Sequence, residues 1–138
     1  MLYEGLTSKI LEACFEVSNE LGIGYVESVY EKALLIALKQ KRIFAESQVP
    51  LKVQFRGIIV GDFYADMIVE QKVILELKAV ENLVKEHNAQ LLNYLKATGF
   101  EVGMVINFGT AKLQYRRFNN RFNNRTDMHT ALRDLLEN

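Results

Sequence analysis

Apolar residues recur along the chain with two different periods, and the change from one to the other divides it. Ile10, Cys14, Val17 and Leu21 repeat at helical spacing, which predicts a helix from Thr7 or Ser8 to Leu21 with Gly22 as its stop. A second helix is predicted from Val26 or Ser28 to Gln40, with Val29, Ala33, Leu34, Ala37 and Leu38 apolar. Ser28 and Glu31 have the spacing of a capping box. From Gln48 the period shortens to two, and Val49, Leu51, Val53 and Phe55 alternate with polar neighbours as on a strand. Pro50, the only proline, places this run at a sheet edge or a strand start, and Gly57 marks a turn. Ile58–Val69 and Val73–Val80 are the next extended runs. A helix over Leu83–Ala97, stopped by Gly99, leads to strands over Gly103–Phe108 and Lys112–Phe118 and a short helix over Thr126–Leu136. The order ααβββαββα predicts an α/β fold, a mixed central sheet flanked by helices.

Length and charge then narrow the class. The chain has 138 residues, which fits a single domain over 1–138 with a core of its own. Seventeen basic residues balance seventeen acidic ones, which argues against a broad electrostatic coat for nucleic acid. The balance is uneven along the chain. Residues 1–31 hold six acids and one base, whereas residues 111–125 hold Lys112, Arg116, Arg117, Arg121 and Arg125 and no acid. That stretch contains a short repeat, Arg117-Phe118-Asn119-Asn120 then Arg121-Phe122-Asn123-Asn124. It reads as a polar loop after the last strand or as Arg and Phe side chains offered to a nucleic-acid backbone and its bases. No apolar run is long enough to span a membrane, and the first residues lack the pattern of a signal peptide. With one cysteine, Cys14, on an apolar stripe, a cytoplasmic protein is expected and Cys14 reads as core.

The chemistry concentrates in Val73-Ile74-Leu75-Glu76-Leu77-Lys78-Ala79-Val80. Alternation puts Glu76 and Lys78 on the face of Ile74 and Val80, in a strand apolar enough to be central. A carboxylate and an amine there are costly unless paired or bound. If the preceding run pairs with this one as a hairpin, Asp66 falls beside Glu76. Two carboxylates on neighbouring strands form a hard oxygen site suited to Mg²⁺ or Mn²⁺. A nearby lysine then suits metal-assisted phosphodiester hydrolysis. Taken alone, Asp…Glu-x-Lys fits an ordinary Glu–Lys pair on a half-exposed strand better, and the rest of the chain shifts that balance.

Gly24-Tyr25-Val26-Glu27-Ser28-Val29-Tyr30, then Asp66, then Glu76-Leu77-Lys78, then Gln90-Leu91-Leu92-Asn93-Tyr94 follow one another in order. With these motifs the chain resembles the PD-(D/E)XK nuclease superfamily, its RecB-like branch, and within it the GxxExxY protein family. The similarity spans roughly residues 5–118, leaving a basic loop and short helix over 119–138. The resemblance implies a restriction-endonuclease-like fold and a Mg²⁺-dependent nuclease hydrolysing DNA, with a catalytically silent nucleic-acid-binding or protein-interaction module as the alternative. It implies that Asp66, Glu76 and Glu27 hold Mg²⁺ or Mn²⁺, that Lys78 acts on the attacking water, and that Gln90 and Tyr94 steady the site and contact nucleic acid. Lys112, Arg116, Arg117 and Arg121 are then the expected phosphate-facing residues. A homodimer would give two sites for two strands. Other readings stay open: Glu27 as a helix N-terminal charge, Glu31 as near the metal or only a capping-box partner, Tyr30 and Tyr94 as core, His87 as a site base or a surface residue, and His129 as structural or solvated.

Overall fold

The computed structural model describes residues 2–120. Its elements, in chain order, are α1 (Glu4–Leu21), α2 (Glu27–Gln40), β1 (Ala45–Phe55), β2 (Ile58–Val69), β3 (Val73–Lys78), α3 (Lys85–Thr98), β4 (Val102–Asn107) and β5 (Gln114–Asn119). The helix expected over Thr126–Leu136, with Arg121 and Arg125, lies outside the described residues.

The strands form one five-stranded sheet in the order β1-β2-β3-β4-β5. Every neighbouring pair is antiparallel except β3 and β4, which run parallel and are joined through α3. A parallel pair needs such a crossover, and it sends α3 across one face of the sheet. α1 and α2 cover the other face. Ile10, Cys14, Leu34 and Leu38 pack there on Met67, Leu75, Leu77, Met104 and Ile106. On the α3 face, Leu91 and Leu95 pack on Ile74, Ile68, Val105 and Leu51. Leu75, Leu77 and Ile74, alternating along β3, thus enter different cores, which is why this strand reads as an unbroken apolar run. Cys14 is buried in the α1/α2 core, and burial pushes its thiol well above the ordinary range, consistent with a packing role.

Several boundaries differ from the expected ones, each for a local reason. β1 begins at Ala45 and carries Gln48 inside it at φ 52, a left-handed value that a plain strand avoids. β3 stops at Lys78 rather than Val80 because the Asn107 side chain takes over the Val80 main chain: Asn107 Oδ1 accepts from the Val80 N–H and Nδ2 donates to its carbonyl, both at 3.0 Å. Gly109 closes on the same turn, where a Cβ would stand 2.3 Å from Val80 main-chain atoms. Ser28 and Glu31 form no capping box, since Val26 is the N-cap and Ser28 already lies in the first turn. The first repeat copy is not loop: Arg117, Phe118 and Asn119 end β5, and the buried Asn120 donates to the carbonyls of Leu95 and Phe100.

Candidate active site

The sheet is knit unevenly around β3. Toward β4 it pairs along its whole length, from Val73 with Val102 to Lys78 with Asn107. Toward β2 the ladder runs only from Val69 with Val73 to Met67 with Leu75. Beyond that point the two strands separate, and Asp66 and Glu76 are the first residues past the last pair. The freed Leu77 N–H is not left open: it donates to Asp66 Oδ2 at 2.7 Å. A strand main chain thus fixes the carboxylate that lies across from it.

Glu76 is 2% exposed, and its Oε1 has no hydrogen-bond partner. Burial pushes its carboxyl up to about 8, with the charges of Asp66 and Glu27 adding to the effect, while Lys78 and the Asp66 main chain oppose it. Burial also raises Asp66, against the Leu77 N–H, Lys78 and Gln48. Glu27, the first residue of α2, is exposed, and its charge is felt at both Glu76 and Glu31.

From the α3 side, Gln90 reaches the site. Its Oε1 lies 3.5 Å from Lys78 Nζ, at the long limit of a hydrogen bond, and its Nε2 donates to the Tyr94 hydroxyl at 2.9 Å. The Tyr94 ring is buried and packs against Phe63, centroids 5.8 Å apart. That position suits a support for Gln90 and not an exposed surface for nucleic acid. His87 accepts from the Val84 N–H at the start of α3, so its ring serves the helix end.

The loop before Glu27 is held by Tyr30. The fully buried ring stacks on Phe108 at 4.9 Å, and its hydroxyl donates to the Gly22 carbonyl at 2.7 Å. It also accepts from the Tyr25 N–H at 3.3 Å. Tyr30 is core by burial, and it also fixes where α2 begins.

The expected basic residues divide. Arg116 is exposed and opposite Val105, which in turn is opposite Glu76, so the three stand in one row across the sheet. Two strand spacings, roughly 10 Å, separate the ends of that row. Lys112 is exposed before β5. Arg117 corrects the expectation: it faces α1, donating to Thr7 Oγ1 at 2.8 Å and to the Leu2 carbonyl. Alternation along β5 puts consecutive arginines on opposite faces, and only one can face the carboxylates.

One residue near the carboxylates, Gln48, escaped the sequence reading, while Glu31 stood open between a place near the metal and a capping box. Gln48 Nε2 donates to both oxygens of Glu31, at 3.1 and 3.2 Å, and Glu31, raised chiefly by burial, also feels Asp66. Gln48 gave no signal beyond a polar residue ahead of Pro50, and the capping-box reading of Glu31 fails because Val26 is the N-cap.

Among the described residues no three acidic, histidine or cysteine side chains converge closely enough to cage a metal. The donors present are still those of a hard cation. A buried carboxylate oxygen without a partner, next to a second carboxylate, fits Mg²⁺ or Mn²⁺ with waters completing the shell. No thiolate or imidazole here favours zinc.

The site is an opening in an α/β sheet at two carboxylates, with a lysine and a glutamine behind them. Residues 4–118 match the PD-(D/E)XK nuclease superfamily, and the chain belongs to it. Among solved structures it is similar to that of SSO0001, with a TM-score of 0.54 and 18% sequence identity. The match covers 97% of this chain and 67% of that one, and at this identity the likeness speaks to the fold alone. None of the curated proteins compared with the chain matches it. Among the described residues no helix is long and apolar enough to cross a membrane.

Proposed function

We propose that the chain is a Mg²⁺- or Mn²⁺-dependent nuclease that hydrolyses DNA phosphodiester bonds, of the GxxExxY kind. The observation that carries this reading is the buried Glu76 oxygen without a partner, beside Asp66, in a chain of this superfamily. Asp66 and Glu76 would hold the cation, with Glu27 joining from the start of α2. When bound, a divalent cation supplies Lewis acidity and a lowered water pKa.

The chain's own groups do the rest. Leu77 holds Asp66 in one orientation, so the donor pair is set before anything binds. Lys78 places a positive charge where charge develops on the phosphate and orients the attacking water, and Gln90, braced by Tyr94, limits where its amine goes. Arg116 and Lys112 would take the flanking phosphates. Tyr30, by fixing the loop ahead of Glu27, gives the Gly…Glu…Tyr spacing a physical purpose.

The test is a cleavage screen over single-stranded, duplex, flapped and branched DNA with Mg²⁺ and Mn²⁺. Lys78→Ala is expected to lower the rate by about 10²–10³-fold or more, on the scale of removing one transition-state donor. Asp66→Ala is expected to abolish cleavage while the protein stays folded. Full activity in both variants would reject the site, and cation binding with no cleavage of any form would make the chain a silent binding module.

A further inference from the structure

The β1–β2 ladder breaks beside the candidate site. Ser47 pairs with Met67 and Val49 with Ala65, but the pair between them, Gln48 with Asp66, is missing. On one side of the break Met67 enters the α1/α2 core; on the other, Ala65 enters the α3 core with Val49 packed against it. Residues two apart on a regular strand share a face, so the ribbon turns over at this pair. Gln48 accommodates the turn at φ 52, a conformation that residues with side chains seldom adopt. An observed outlier of this kind beside a buried carboxylate pair points to a use.

We propose that Gln48 is a positioning residue that ties Glu31 to Asp66 and thereby fixes the carboxylate donor for the cation. Its amide donates to both Glu31 oxygens, and the flanking pairs Ser47–Met67 and Val49–Ala65 set Gln48 across from Asp66, whose carboxyl it helps to lower. Leu77 holds one Asp66 oxygen from β3, and Gln48 stands across from Asp66 on β1. A glutamine suits this place because it donates without adding charge: lysine would compete with the cation, and a further carboxylate would repel its neighbours. Glu31, which directly follows the Gly24–Tyr30 motif, thus joins the site through Gln48. This inference rests on the reading of Asp66 and Glu76 as cation donors.

The test is calorimetric titration of Mn²⁺ into wild type, Gln48→Gly, Gln48→Asn, Glu31→Gln and the Gln48→Gly/Glu31→Gln double variant. Glycine accepts a positive φ, so Gln48→Gly is expected to unfold at a temperature no lower than wild type. Asparagine tolerates the same backbone but its amide is one methylene too short, which keeps the test open should the glycine variant fold poorly. Both are expected to bind Mn²⁺ about 10- to 100-fold more weakly, the usual effect of removing a group that orients a ligand. If Gln48 acts with Glu31, the double variant loses little more than one single variant. Wild-type affinity in Gln48→Gly and Gln48→Asn, or fully additive losses, would overturn the proposal alone. No Mn²⁺ binding by wild type would overturn the reading of the site and this inference with it.

Discussion

The two flanks of β3 are built to different ends. On the β4 side six residue pairs run unbroken and Glu76 lies opposite Val105, which the α3 core buries. On the β2 side the ladder ends after three pairs, and the next residues across the gap are carboxylates. The first flank satisfies its main chain with main chain and is lined mostly by buried apolar side chains. The second spends a main-chain donor on a side chain, keeps a carboxylate oxygen buried without a partner, and adjoins a left-handed glutamine. One strand therefore serves as rigid support on one edge and as a donor platform on the other, so the chemistry is anchored to the best-packed part of the molecule.

Substitutions at the last residue paired on both sides of β3 and at the first beyond the β2 ladder should consequently act in opposite directions. Leu75→Ala, in the α1/α2 core, is expected to lose about 2–5 kcal/mol, read from urea unfolding. Glu76→Gln, one residue on, is expected to gain stability without cation, by an amount that grows above the ordinary carboxylate range and levels off above about pH 8. The Glu76 carboxyl is raised to about 8 in the fold, so its contribution is full below the ordinary carboxylate range and is lost as pH rises through about 8. Unfolding free energies from urea titration should then match wild type near pH 4 and exceed it at pH 9, by an amount on the order of a few kcal/mol. A variant weaker than wild type at both pH values would remove the contrast between the flanks.

A smaller effect separates the two arginines of β5. Arg117→Ala removes the contacts to Thr7 and Leu2 and is expected to lose about 1–3 kcal/mol, with the salt dependence of DNA binding unchanged. Arg116→Ala should leave stability within about 0.5 kcal/mol and lower the slope of log affinity against log salt by about one. Equal effects on DNA binding would return Arg117 to the phosphate-facing surface.

Much of the fold was legible because its signals are periodic. The eight described elements lie where the apolar period places them, and Gly22, Gly57 and Gly99 punctuate them at positive φ. Asp66 beside Glu76 followed from supposing a hairpin, which the β2–β3 pairing bears out. What escaped was tertiary. Nothing local tells Glu31 to face Gln48 across from another element, nor that the ladder should break at Gln48. Asn107, 29 residues beyond Lys78 in sequence, ends β3 early through its side chain. Arg117 and Arg116 look equivalent in a run of basic residues and separate only when strand alternation meets the position of α1.

The property on which the rest depends is that the open flank of β3 holds a divalent cation. Thermal unfolding at pH 8 with and without Mn²⁺, for wild type and Glu76→Gln, tests that most directly. Mn²⁺ is expected to raise the wild-type midpoint as its concentration exceeds the dissociation constant, and to leave Glu76→Gln nearly unmoved. An unchanged wild-type midpoint, or the same rise in both proteins, would contradict it.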